Sequence, residues 1–234
     1  MAKANLNKKV IDQIERAVAS YTNDMLDYDA LTTRVIDHFT KVDKFKKLIH
    51  SSKSRTKDPD HLRDKLIRKA EKAKQEGETF NISEHLDDLA GVRFLHIHTK
   101  QIELIHPLIL EILDKFGYQL VGEPVAYTWD IENKTLFERV GFETHFREDM
   151  YTSVHYIVKP HYSDFHCEIQ VRTLMEELWG EVSHTIDYPH ETDSIPCKEH
   201  IPCKEQLRAL ARLASGCTRL VDSIFISHEH HQGN

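Results

Sequence analysis

The stretch HCEIQVRT, residues 166–173, constrains the fold more than any other segment of the chain. Strand side chains alternate between the two faces of a sheet. One face here takes Cys167, Ile169, Val171 and Thr173, and the other takes His166, Glu168, Gln170 and Arg172. The first face suits a core. The second, made only of polar groups, either meets water, as one face of many sheets does, or lines a cleft that binds something highly charged. YTSVHYIVK, residues 151–159, also reads as a strand, with Tyr151, Ser153 and His155 on one face and Thr152, Val154 and Tyr156 on the other. Pro160 and Asp164 mark a tight connection between the two.

Helical spacing governs most of the rest. From residue 6 to about 50, VIDQIERAVASY and ALTTRVIDHFTKVDKFKKLI place apolar residues three and four apart. HSSKSRTK follows as a polar break. DPDHLRDKLIRKAEKAKQEG opens with Asp58 as cap and Pro59 at the first helical position, and it ends at Gly77. Lys65, Lys69 and Lys72 share one face of that helix. Ser83 can cap a short helix, EHLDDLAG, that feeds a strand VRFLHIH. The helix ELIHPLILEILDKFG is stopped by Gly117 and followed by a strand YQLV. Residues 122–148 read only as strand and loop. Thr173 and Glu176 make a capping box for LMEELWGEVSHTIDY. The tandem hexamers IPCKEH and IPCKEQ, residues 195–206, read as a local duplication in a connecting loop. EQLRALARLASGCTRLVDSIF is a closing helix whose apolar positions suit packing or homo-oligomerisation. The order of elements predicts an α+β fold, a small mixed sheet flanked by helices.

No window of 18 apolar residues occurs, and the N-terminal MAKANLNKKVIDQIERA lacks the apolar run of a signal peptide. A cytoplasmic protein without membrane association is expected. Cys167, Cys197, Cys203 and Cys217 form no C-x-x-C pair, which predicts free thiols rather than zinc. The tail HEHHQGN predicts a frayed, solvated terminus rather than a metal site. The net charge of −7 is unevenly spread: residues 41–74 hold 13 Lys/Arg against 5 Asp/Glu, and the remainder holds 18 against 33. A basic segment inside an acidic chain implies either a local anionic ligand or a solvated basic helix.

The chemistry-bearing residues cluster around that segment and the polar row. Asp88 sits at the mouth of the VRFLHIH strand, and Glu168 lies in the polar row. Two carboxylates on strands of one sheet can share Mg²⁺, which prefers oxygen ligands. Glu181 and His184, on the helix after the polar strand, would support them from further out. Arg55 and Lys57 precede the helix that carries Lys65, and Arg93 follows Asp88. Several cations of both kinds are what a triphosphate requires, Lys as a point charge and Arg as a planar fork. No G-x-x-x-x-G-K-[ST] loop and no G-x-G-x-x-G is present, which excludes a P-loop protein, a kinase glycine loop and a Rossmann fingerprint.

RTKDPDHLRDKL, DLAGVRF, YTSVHY, EIQVRT and WGEVSHTIDY occur in this order at the intervals of the RelA/SpoT-type synthetase domain, which the chain resembles from about residue 53 to 188. The helical flanks resemble those of the small, stand-alone alarmone synthetases. The resemblance implies a single synthetase domain with a nucleotidyltransferase-like fold: N-terminal helices over 1–50, a catalytic core over 53–188, and a loop and C-terminal helix over 189–234. It implies pyrophosphoryl transfer from ATP to the 3′-hydroxyl of GDP or GTP, with Mg²⁺ as cofactor. Carried over by position, Arg55 and Arg93 would hold ATP, with Arg55 on the adenine, and Lys57 and Lys65 would clamp its phosphates. Asp88 would bind Mg²⁺, and Glu168 would bind metal or act as base. Tyr151 would stack on the acceptor base, and His155 would contact acceptor phosphate or ribose. Gln170 and Arg172 would hold Glu168 and the neighbouring helix in place.

The chain departs from the family pattern on the acceptor side. Met150 stands where a Gly usually precedes the stacking Tyr, Arg147 lies beside Glu148 and Asp149 where a Lys is usual, and His61 replaces a Ser at the helix start. Two other functions therefore stay open. One is a toxic relative that pyrophosphorylates adenosine nucleotides or the 3′ end of tRNA. The other is a catalytically silent nucleotide-binding or oligomerising module. The family's separate N-terminal hydrolase is not expected, because the N-terminal helices leave it no room.

Overall fold

The computed structural model describes residues 6–187 and 201–232. Among these, seven strands form one sheet: β1 (Ser51–Thr56), β2 (Ala90–His96), β3 (Tyr118–Leu120), β4 (Val125–Thr128), β5 (Glu143–Phe146), β6 (Ser153–Pro160) and β7 (Cys167–Thr173). Their order is β1-β2-β7-β6-β4-β5, with β3 paired to the far end of β6. The β2/β7 and β4/β5 pairs are parallel and the remaining pairs antiparallel. The helices are α1 (Lys8–Asn23), α2 (Met25–Thr40), α3 (Asp43–Leu48), α4 (Pro59–Glu76), α5 (Ile102–Lys115), α6 (Ile131–Val140), α7 (Leu174–Asp187) and α8 (Ile201–Gln232). The architecture is the expected α+β class. No helix among the described residues is long and apolar enough to cross a membrane.

One sheet face makes the core. Val92, Phe94, Val154, Tyr156, Ile169 and Val171 are buried against α2, α3 and α5. The rings of Phe39, Phe45 and Phe94 meet at 5.0 Å. A second cluster joins Ile14, Val18 and Tyr21 of α1 to Leu62, Leu66 and Ala70 of α4. The opposite face carries a row in strand register, Lys53–Arg93–Gln170–His155, from β1 through β2 and β7 to β6. This face is not simply wet. Gln170 and Arg172 are 8% and 4% exposed, so the polar row of β7 lies beneath other elements.

Local signals hold where they were strong. The Asp58 carboxylate accepts from the backbone N–H of Asp60 and His61, and Gly77 takes the left-handed conformation (φ 73°) that ends α4. Thr173 and Glu176 exchange the two bonds of a capping box, at 2.7 and 3.2 Å.

Several expectations need correction. HSSKSRTK is no break: it forms β1, an edge strand that pairs on one side only and needs no alternating apolar pattern. The segment after α4 opens as a 3₁₀ turn, Ile82–His85, capped by Asn81 rather than Ser83. Residues 122–148 contain α6 between β4 and β5, with Asp130 as its cap and Gly141 as its stop. Tyr151 precedes β6 instead of lying on it. The second hexamer, from Ile201, opens α8 rather than lying in a loop; the first lies outside the described residues. The histidine-rich tail continues α8 to Gln232, since extending a formed helix needs no new nucleus. Cys167 and Cys217 are free, but Cys203 is disulfide-bonded. Sulfur pairing depends on spatial approach, so the lack of a C-x-x-C pair does not exclude it.

Candidate active site

The polar face of β7 forms the floor of a cleft of about 1020 Å³, at the upper end of the range for ligand sites. Glu168 is at its centre. The carboxylate meets His155 Nδ1 at 2.8 Å through Oε1 and accepts from Gln170 Nε2 at 2.7 Å through Oε2. Burial pushes this carboxyl up; the hydrogen bond and charge of His155, helped by Gln170, outweigh burial and the nearby Asp88 and hold it below the ordinary carboxylate range. Glu168 is therefore ionised and fixed in orientation. The Gln170 amide oxygen accepts from Arg93 Nε at 3.0 Å and from Arg172 at 3.4 Å, so one amide ties the carboxylate to two guanidiniums.

On the β1–β2 side, Asp88 takes Lys57 Nζ at 2.6 Å on one oxygen and Lys65 Nζ at 2.8 Å on the other. Burial pushes the Asp88 carboxyl up, and the two ammonium groups together bring it below its ordinary value. Lys57 follows β1 and Lys65 is nearly two turns inside α4, so the strand-to-helix turn capped by Asp58 aims both at one point. Tyr21 of α1 donates to the backbone carbonyls of Lys57 and Leu89, fixing the two chain segments that carry Lys57 and Asp88. Arg55 lies on the cleft side of β1 over Gly91, with no hydrogen bond or ion pair among the described residues.

A second carboxylate cluster supports this side from α7. Glu177 accepts from Lys53 Nζ at 3.0 Å, Arg93 at 3.2 Å and Arg172 at 2.8 Å, and Glu181 accepts from Arg93 at 2.9 Å. Burial pushes Glu177 up, but Arg172, Lys53 and Arg93 hold it low. Gly180 is what lets α7 lie so close: a Cβ there would stand 2.8 Å from the Arg172 guanidinium. His184, one turn further on, lines the cleft, and burial together with Arg55 lowers its pKa.

On the β6 side, the Tyr151 hydroxyl meets His155 Nε2 at 2.9 Å, so both imidazole nitrogens are engaged within the protein. Arg147 ion-pairs with Asp149 and places its guanidinium 5.7 Å from the ring centre of Tyr127 and 5.9 Å from that of Tyr151. Met150 has φ 67°, the one non-glycine residue with positive φ among the described residues.

Of the residues singled out from sequence, those on β1, β2, β6, β7, α7 and the 147–151 segment line this cleft, whereas Asp88, Lys57 and Lys65 form an ion-paired group of their own that is not part of its lining. Lys53, Glu177, Tyr127 and Tyr21 were missed. Lys53 had a signal, since it lies two residues from Arg55 on one strand face, but only once β1 is read as a strand. Nothing local marks Tyr21, whose partners are 36 and 68 residues away.

The cleft on the polar face of the mixed sheet is rich in cations around one ionised carboxylate, Glu168, a lining suited to anionic ligands. The family model described as a region found in RelA / SpoT proteins matches residues 54–193, and the chain belongs to that family. The fold matches small alarmone synthetase 1 from Bacillus subtilis (TM-score 0.57, 19% identity, 94% of this chain and 99% of that one). It also matches a GTP pyrophosphokinase family protein from Streptococcus pneumoniae (TM-score 0.58, 19% identity, 93% and 95%). The Bacillus enzyme bound to its product pppGpp is a third match (TM-score 0.56, 18% identity, 93% and 99%). No curated protein sequence matches the chain.

Proposed function

We propose that the protein transfers the pyrophosphoryl group of ATP to the 3′-hydroxyl of GDP or GTP, making (p)ppGpp. One observation carries this reading: an ionised Glu168 stands between a flank of organised cations and a flank of aromatic rings on one sheet face. Arg55, unpaired, and Arg93 take the adenosine end of ATP, with the Arg55 guanidinium stacked on the base. Lys57 and Lys65, already converged on Asp88, take the phosphates. Tyr151 stacks on the acceptor base, Arg147 borders it, and His155 holds Glu168 toward the acceptor ribose.

The 3′-oxygen attacks the β-phosphorus in line. A bond from O3′ to that phosphorus forms as the bond to the bridging oxygen breaks, and AMP leaves with that oxygen. The hydroxyl proton passes to Glu168. Asp88 and Glu168 are the carboxylates that would hold Mg²⁺: both are kept ionised, and the ion would displace Lys57 or Lys65 from Asp88. No group of three or more His, Cys, Asp or Glu that could hold a metal ion occurs among the described residues. Bound there, Mg²⁺ would neutralise phosphate charge during transfer.

Glu148 and Asp149 at the acceptor rim favour a second reading, in which the same donor chemistry serves an adenosine nucleotide or the 3′ end of tRNA. Offering β-labelled ATP with GDP, GTP, GMP, ADP or deacylated tRNA separates the two: label on GDP or GTP supports the first, and label only on the others replaces it. The exposed Leu213, Leu220 and Ile224 of α8 offer a surface for self-association, testable by light scattering.

A further inference from the structure

The C-terminal helix contributes to the cleft although α8 begins after residue 193, where the family match ends. Lys204, Leu207 and Arg208 line the same cleft as Glu168 and Tyr151. Trp179 Nε1 donates to the Leu207 carbonyl at 3.0 Å, which fixes this part of α8 on α7. One turn further, Ala211 shares a small pocket with Trp179 and Met150. Positions 204, 208 and 211 follow one helix face, so the cationic pair lies on the face that meets the Met150 loop at Ala211. The platform is anchored at two more points. Ser215 donates to Asp130 at 2.6 Å, and Asp222 meets His98 Nδ1 at 2.6 Å and accepts from the Lys100 N–H at 3.0 Å.

Charge on this side of the cleft is otherwise committed. Arg147 is paired with Asp149, and Arg172 with Glu177. Lys204 makes no hydrogen bond or ion pair among the described residues, and Arg208 has one exposed partner, Glu205, at 2.8 Å. A nucleotide stacked on Tyr151 with its 3′-hydroxyl at Glu168 carries its 5′-carbon on the neighbouring C4′, on the ring face opposite that hydroxyl. Its 5′-phosphates therefore leave the floor and run toward the rim. We infer that Lys204 and Arg208 form a second anion subsite that binds the 5′-phosphate chain of the acceptor nucleotide and favours longer chains. The inference rests on the acceptor being a nucleotide, as proposed above.

The test is the KM of GMP, GDP and GTP as acceptors in the wild type and in K204A/R208A, with ATP fixed and then varied, and with thermal melting as a folding control. The double variant should raise the GTP KM about tenfold, roughly half a decade for each rim cation. It should leave the GMP and ATP values within about twofold. Glu205→Gln, which frees Arg208, should lower the GTP KM. An equal rise for all three acceptors, a rise in the ATP KM, or no change would overturn the subsite. Calorimetric binding of the same three nucleotides, without turnover, separates this from the transfer reading. Phosphate-dependent binding that the double variant loses, with no transfer, supports the subsite and removes the transfer reading. Transfer without any dependence on phosphate number does the reverse.

Discussion

On the β1–β2 side of Glu168, the cations sit on regular elements or, for Lys57, directly at the end of one, and converge on carboxylates: Lys57 and Lys65 on Asp88, Lys53 and Arg93 on Glu177. On the β6 side, the proposed acceptor flank is built from residues 147–151, which lie between strands and include Met150 in a left-handed backbone that costs an L-residue about 1–2 kcal/mol. The difference is one of preorganisation. A donor flank whose charges are fixed before ligand arrives loses little entropy on binding. A loop with one strained residue can vary its ligand while the sheet beneath it stays the same.

Changes at the shared centre should have the largest effect, because both flanks work through it. Asp88→Asn, or excess EDTA with the wild type, should abolish transfer; undiminished turnover under either condition would remove Mg²⁺ from the mechanism. Glu168→Gln should lower turnover by about 10²- to 10⁴-fold, the range for a positioned base, while ATP binding and the melting temperature hold. If this variant unfolds instead, Glu168 is a structural group and the polar row has a different purpose.

Smaller and separable effects are expected on each flank. Lys57→Ala and Lys65→Ala should each raise the ATP KM on the order of 100-fold, the loss of a charged hydrogen bond to phosphate. Lys72, exposed and paired with Glu76 at 3.6 Å, should matter little. Equal losses at all three would indicate a diffuse basic surface of the kind that binds RNA. Tyr151→Ala should raise the acceptor KM by roughly 30-fold, from about 2 kcal/mol of base stacking. Met150→Gly should have the smallest effect: about 1 kcal/mol gained in stability from relieved backbone strain, reduced by lost contact in the pocket shared with Trp179 and Ala211. A destabilised variant would show that Met150 is held there by packing and not against it.

The same contrast explains what could be read from sequence. The donor flank was legible because its signals are local: a charge run, an Asp58–Pro59 cap, and a strand leading away from Asp88. The Thr173–Glu176 box was legible for the same reason. The polar row of β7 gave up Glu168, Gln170 and Arg172 because period-2 alternation is independent of neighbours. Elements that depend on distant partners were not legible. β1 is polar on both faces and exists because β2 pairs with it. β4 and β5 have four residues each and are joined by a ten-residue α6, too short for either period to stand out. Alternation puts Tyr151 on the strand, yet β6 starts at Ser153, and it is the bond to His155 that places its ring at the cleft.

Equilibrium binding of a non-transferable ATP analogue and of GDP to the wild type, Lys57→Ala and Tyr151→Ala tests the division of the cleft most directly. The pattern should cross: Lys57→Ala weakens the ATP analogue and leaves GDP within about twofold, and Tyr151→Ala does the opposite. Equal weakening of both ligands by either substitution would contradict two separate flanks meeting at Glu168.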